Sequence, residues 1–436
     1  MATDAAYIPP ARTGTYPVRD GNLVRPLVDG VPAFRRICDA VTRAERRVWV
    51  TIAFVDRTLL LPDGGTVFDL LDRAAARGLD VRVVFWREPE LDPCPAPGWE
   101  TFPGNAGDRA WLAERGSTFR ARWDHLPDGC HHQKSWIVDA GEPGEIAFVG
   151  GINLDHMSIV DRGHRLAEPA EHYHDVYLEL AGPSASDVHH NFVQRWNEAS
   201  ERARGDGVWP RGAIGDDLPY PAVVSPPRGD SRAQILRTIR GRERGILESY
   251  LAAIDAAREW IYVENQFFYS HEIFERMDAA MRRGVEIVVL LPGRPISQVA
   301  EQRRKHPRLF AAFEALARQE RLTLAGLAWA DGAGERHDVY VHSKLMIVDD
   351  AWMTVGSANL ERSSLQNSTE MNLACWDAGV VATLRRELFA EHGGDAVAPD
   401  GRTPLAALRS AAARPLDATR SGLVVPLDAT TYAVEA

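Results

Sequence analysis

The chain repeats itself once, at long range. His132, Lys134 and Asp139 of "HQKSWIVD" return as His342, Lys344 and Asp349 of "HSKLMIVD", each 210 residues later. Asn153 returns as Asn359 and Gly78 as Gly284, both at a step of 206. The apolar segments keep the same order: "AERRVWVTIAF" (44–54) resembles "AREWIYVENQF" (257–267), and "ARGLDVRVVFW" (76–86) resembles "RRGVEIVVLLP" (282–292). A period near 200 excludes a solenoid, whose units run to about 20–50 residues. It requires two copies of one domain-sized unit within 436 residues.

Each copy reads as a helix (about 32–45 and 245–258), an apolar strand (48–54 and 261–267), a second helix (67–77 and 272–283) and a second strand (80–86 and 285–291). The second helix stops at Gly78 or Gly284, a common C-terminal cap. Apolar strands alternating with helices predict the α/β class: two similar α/β/α sandwiches whose sheets are mixed but largely parallel. The expected division is 1–203, a Pro/Gly/Asp-rich linker at 204–232 beginning "RGDGVWPRGAIGDD", and 233–436. The tail after about 395 has no period and is expected to wrap the surface irregularly.

Composition narrows the function. The net charge of −11 disfavours a general nucleic-acid binder, which needs clustered cations for phosphates. Cys38, Cys94, Cys130 and Cys375 form no CxxC pair, and the extra histidines (His131, His156, His164, His172, His189, His190) have no ligand spacing, so no metal is expected. Cys130 is expected to pack rather than react. The N-terminus lacks an apolar leader core, and no apolar run is long enough for a span. The expected location is the cytoplasm or the periphery of a membrane, with export by a trimmed leader equally compatible.

On a strand, residues two apart share a face, so His342 and Lys344 project side by side, as do His132 and Lys134. An imidazole beside an ammonium suits a phosphate: lysine supplies fixed charge, and histidine acts as nucleophile or as general acid and base. The following turns, "GGIN" (150–153) and "GSAN" (356–359), add close approach and an amide donor in Asn153 or Asn359. Two such half-sites make chemical sense where they meet. One histidine attacks phosphorus and the other protonates the leaving alkoxide. The lysines and asparagines hold the non-bridging oxygens, in place of a metal.

His-x-Lys-x4-Asp followed by Gly-Gly/Ser-x-Asn, twice per chain, resembles the phospholipase D superfamily. The resemblance runs from about residue 22 to 394 and includes "IYVENQFF" (261–268), "HDVYLELAGPSASDVHHNFVQRWN" (174–197) and "LRRELFAEHGG" (384–394). It implies halves packed about a pseudo-twofold axis with one active site at their interface. It implies His132 as nucleophile, His342 as acid, and Asp175 and Glu370 as the carboxylates that orient them, without saying which serves which. Gly151, Ser357, Asp139, Asp349, Glu264 and Gln266 are the candidates for the substrate-holding rim and its polar network. Most tryptophans are expected in the core; Trp99 and Trp111, in the Pro/Gly-rich insertion 88–130, are the first candidates for a lipid-facing rim on an active-site lip. The implied activity is a monomeric, cofactor-free phosphodiesterase working at a phospholipid surface. It would hydrolyse or transphosphatidylate glycerophospholipid head groups through a phosphohistidine, with no stable nucleic-acid partner. The alternative is a nuclease or other nucleic-acid phosphodiesterase with the same two-histidine chemistry.

Overall fold

The computed structural model describes residues 7–87, 102–127, 129–165, 172–394 and 404–434. Trp99 and the start of the 88–130 insertion lie outside these residues. In the first half, three strands run parallel, Arg47–Ile52, Asp80–Trp86 and Arg120–Asp124. Val48, Val50, Val83 and Val84 are buried, as strands covered on both faces require. Ser135–Val138 pairs antiparallel with Arg47–Ile52, and Ile146–Gly150, Val176–Ala181 and Arg19–Val28 extend the ladder in turn.

The second half repeats this order. Trp260–Asn265, Glu286–Leu290 and Leu322–Ala330 are parallel. Lys344–Val348 pairs antiparallel with the first of them, followed by Trp352–Gly356, Thr369–Cys375 and Ser231–Ile239. The helices between parallel strands begin and end on local signals. Thr66 and Asp69 form a reciprocal capping box at Val67–Ala76, and Gly78 and Gly284 take φ of 84° and 102° just past the helices they close.

Two ladders stitch the halves together. Arg19 pairs antiparallel with Ala233, and His172–His174 runs parallel with Val339–Val341. A buried apolar cluster continues through the same seam, from Val149, Val176 and Leu178 to Val341, Leu345, Val355 and Leu373. Each half also keeps a core of its own, around Phe34, Val48 and Phe85 in the first and Tyr250, Ile261 and Ile287 in the second.

Three expectations change. The described part of the insertion is mostly a helix, Ala106–Arg115, leading into the third parallel strand, while Gly129 and Cys130 at its end line a cavity. A capping box, Asn105 with Asp108, starts this helix amid the surrounding Pro and Gly. In the described part of the tail, residues 404–434, Pro404–Ala412 is helical and Val424–Pro426 adds to the strand Leu322–Ala330, with Leu405, Leu408, Leu423 and Val424 buried. A three-residue strand is too short to show alternation. Within the linker, Val208–Trp209 pairs with Arg120–Asp124, and residues 214–230 carry no helix or strand.

Candidate active site

Each His-x-Lys motif docks on a strand of the opposite half. The amide of His132 donates to Thr369 O at 2.9 Å, and the amides of His342 and Ser343 donate to His174 O at 2.9 and 3.0 Å. Both strands that receive them carry an acid as their next residue, Glu370 and Asp175. The imidazoles sit just ahead of their own strands, which begin at Ser135 and Lys344. Alternation still holds there, since Ser343 turns away and donates to Glu264 at 2.6 Å.

The carboxylates therefore cross over. His132 Nδ1 lies 3.0 Å from Glu370 Oε2 and 3.0 Å from Ser357 O. His342 Nδ1 lies 2.5 Å from Asp175 Oδ2. A carboxylate on Nδ1 fixes the tautomer and supports positive charge on the ring, leaving Nε2 to the substrate. The Gly/Ser difference between the two turns follows from the acids. At Gly151 a Cβ would fall 2.5 Å from Asp175 Oδ1, so no side chain fits. The longer Glu370 leaves room for Ser357, whose hydroxyl donates to Oε2 at 2.5 Å.

Behind the histidines lie two buried ammoniums. Lys134 Nζ donates to His132 O at 3.0 Å and sits 5.6 Å from the Phe54 ring centre. Lys344 Nζ donates to Gln266 Oε1 at 3.2 Å and to His342 O. Burial pushes Lys344 down to about 7 and lowers Lys134 as well. Burial also holds both imidazoles below their ordinary range, His342 further than His132, with the neighbouring ammoniums adding to it. Burial raises Asp175 and Asp155 to about 6. An incoming anion would offset the burial that lowers both ammoniums and both imidazoles.

His132, His342, Asn153, Asn359, Gln266 and Glu370 line one cavity of about 500 Å³. Asn153 Nδ2 is 3.5 Å from His342 Nε2, and among the described residues Oδ1 of Asn153 and of Asn359 is buried without a hydrogen-bond partner. Four aromatic side chains share the remaining wall with polar and small residues. Phe54 meets His132 edge-on at 5.9 Å, Tyr173 stacks on His342 at 5.2 Å, and Trp86 and Phe267 are the other two aromatics. Asp155, Glu361, Tyr173 and Cys130 also line the cavity. The first two sit two residues after Asn153 and Asn359, a matched spacing that would have found them.

Residues 250–391 match the family model described as "Cardiolipin synthase, PLD-like domain". Among curated relatives, phospholipase D A of Dictyostelium discoideum is 27% identical over 82% of this chain and 33% of its own. Cardiolipin synthase A of Pseudomonas putida is 25% identical over 90% of this chain and 73% of its own. The chain is similar over most of its length to phospholipase D and cardiolipin synthase enzymes. It spans a third of the Dictyostelium relative and 59% of phospholipase D alpha 4 of Arabidopsis thaliana. The fold is also that of a solved phosphatidylserine synthase from Haemophilus influenzae Rd KW20, at a TM-score of 0.58, 14% identity and coverage of 84% and 85% of the two chains.

Not every candidate residue reaches the cavity. Asp139 and Asp349 lie away from it. Both adopt positive φ (53° and 52°) and gather backbone amides: Asp139 from Glu45, Arg46 and Arg47, Asp349 from Arg258, Glu259 and Trp260. They clamp the loop entering the first parallel strand of their half. Glu264 is fully buried and bonds His174, His392, Tyr262 and Ser343 instead of facing substrate. Gly151 and Ser357 back the carboxylates, while Gln266 does line the cavity. Trp111 is no lipid rim: it packs on Phe68 at 4.8 Å with Arg57 and Arg115 over its ring.

Proposed function

We propose that this chain is a phosphodiesterase of the phospholipase D type acting on phospholipid head groups. The observation that carries the reading is the pair of histidines lining one cavity, each held through Nδ1 by the other half's carboxylate. His132 is the nucleophile: among the described residues its Nε2 has no hydrogen-bond partner, whereas Nε2 of His342 meets Asn153. His132 Nε2 attacks phosphorus as His342 gives its proton to the leaving alkoxide. His342 then takes a proton from water or an alcohol, whose oxygen displaces His132 from phosphorus. Lys134, Lys344, Asn153 and Asn359 hold the non-bridging oxygens. Both imidazoles are neutral in the free site, so the phosphate's charge raises His342 and lets it arrive protonated.

Lipid rather than nucleic acid is supported by the aromatic wall of Phe54, Trp86 and Phe267, by the net charge of −11, and by the lipid enzymes named among the relatives. No helix among the described residues is long and apolar enough to cross a membrane, and the substrate is met at the membrane surface. The two strand ladders support residues 1–203 and 233–436 as the halves that bring the motifs together. The deciding assay mixes the protein with phospholipid vesicles and ethanol, and separately with single-stranded DNA. Phosphatidylethanol is the expected product; cleaved DNA with no lipid product would overturn the reading.

A further inference from the structure

We propose that Asp29, His164, His174 and Glu391 form a metal site, of the chemistry that suits Zn²⁺, buried in the seam between the halves. One ligand atom of each residue lies within 4.8 Å of all the others. Asp29 Oδ1 is 2.8 Å from His174 Nδ1 and 3.3 Å from His164 Nε2, which is 3.4 Å from Glu391 Oε1. A tetrahedron with bonds of about 2.0–2.1 Å has edges of about 3.3 Å, close to two of these three separations.

Three further observations point to a ligand. Side-chain exposure is 0% for Asp29, His164 and His174 and 4% for Glu391, yet both ring nitrogens of His164 lack a hydrogen-bond partner among the described residues. Nε2 of His164 lies 3.3 Å from Asp29 Oδ1 and 3.4 Å from Glu391 Oε1 without the alignment of a hydrogen bond. Among the described residues no lysine or arginine pairs with Asp29, Glu264 or Glu391, whose partners are histidines, hydroxyls and one backbone amide. Asp29 and His164 both hold positive φ, 67° and 50°, an uncommon conformation that ligand clamps sustain.

The outer partner is also in place. His174 offers Nδ1 to the site and donates from Nε2 to Glu264 at 3.0 Å, the arrangement by which carboxylates orient metal-bound imidazoles. Glu264 in turn receives the hydroxyl of Ser343, inside the second His-x-Lys motif, and His174 O receives the amide of His342. The ion would brace that motif from behind without touching substrate, since none of its four ligands lines the catalytic cavity.

The test is metal content and thermal melting of the full chain, neither of which depends on turnover. The purified protein is expected to carry about one zinc per chain by elemental mass spectrometry. Chelator-stripped protein should regain several degrees of melting temperature on adding zinc alone. His164→Gln and Glu391→Gln should each lose the metal and the zinc-dependent rise. Metal-free wild type that zinc does not stabilise would overturn the proposal and leave a hydrogen-bonded network. Undiminished zinc in both variants would overturn it too, by placing the ion elsewhere.

Discussion

At the scale of single residues, the crossed dyads make separable demands. His132→Ala and His342→Ala should each lower kcat by about 10⁴-fold or more, with melting temperature held, because the two rings act as a unit. Asp175→Asn and Glu370→Gln should cost about 10²- to 10⁴-fold, as loss of a tautomer-fixing carboxylate does elsewhere. A burst of phosphoenzyme without turnover in His342→Ala, but none in His132→Ala, would match the assigned roles; the reverse pattern would exchange them. The pH profile has a worked sign. His132 must be neutral to attack, and its ring is held below the ordinary 6.5, so kcat/KM rises with pH on the acid side. Lys344 must be charged and is pushed down to about 7, so kcat/KM falls as pH climbs through that value. Lys344→Arg, whose guanidinium keeps its proton, should lose the alkaline fall in a titration of kcat/KM. The sequence carried the histidines, lysines and asparagines because their chemistry is written in fixed local spacing. Tyr173, Phe54 and the pairing of Asp175 with His342 were out of reach, since contact between residues 175 and 342 depends on how two strands dock.

At the scale of elements, the motif aspartates serve the fold. Asp139 and Asp349 each collect several amides where a helix hands over to the first parallel strand, and Tyr7 also donates to Asp349 at 2.6 Å. Asp349→Ala should therefore cost about 2–4 kcal/mol in urea unfolding, from several charge-assisted bonds, while the variant that folds keeps a near-normal kcat. A large fall in kcat at full stability would return Asp349 to the chemistry. Most strands and helices were legible because buried parallel strands write continuous Val/Ile runs and Gly78 and Gly284 mark the helix ends. The helix at Ala106–Arg115 and the short strand Val424–Pro426 were not. Pro and Gly neighbours hid the first, and the second has too few residues to carry a period.

At the scale of the whole molecule, the halves share a core and two ladders. Fragments ending and beginning near residue 218 should each be inactive alone, because neither holds a complete histidine–carboxylate pair. Cutting the intact protein within 214–230, where no ladder bonds are lost, should leave it associated and active by gel filtration and assay. Inactivation by such a cut would mean the connection itself positions the halves. The division into two units was legible from the duplication; the tail's return to the second sheet was not, because its partner strand lies about 100 residues upstream. The crossed acids have a practical consequence for anyone screening variants. A substitution that slightly loosens the join moves both proton partners at once, while three cores still hold the chain together. Calorimetry would score that variant as healthy, and only a rate measurement would expose the damage.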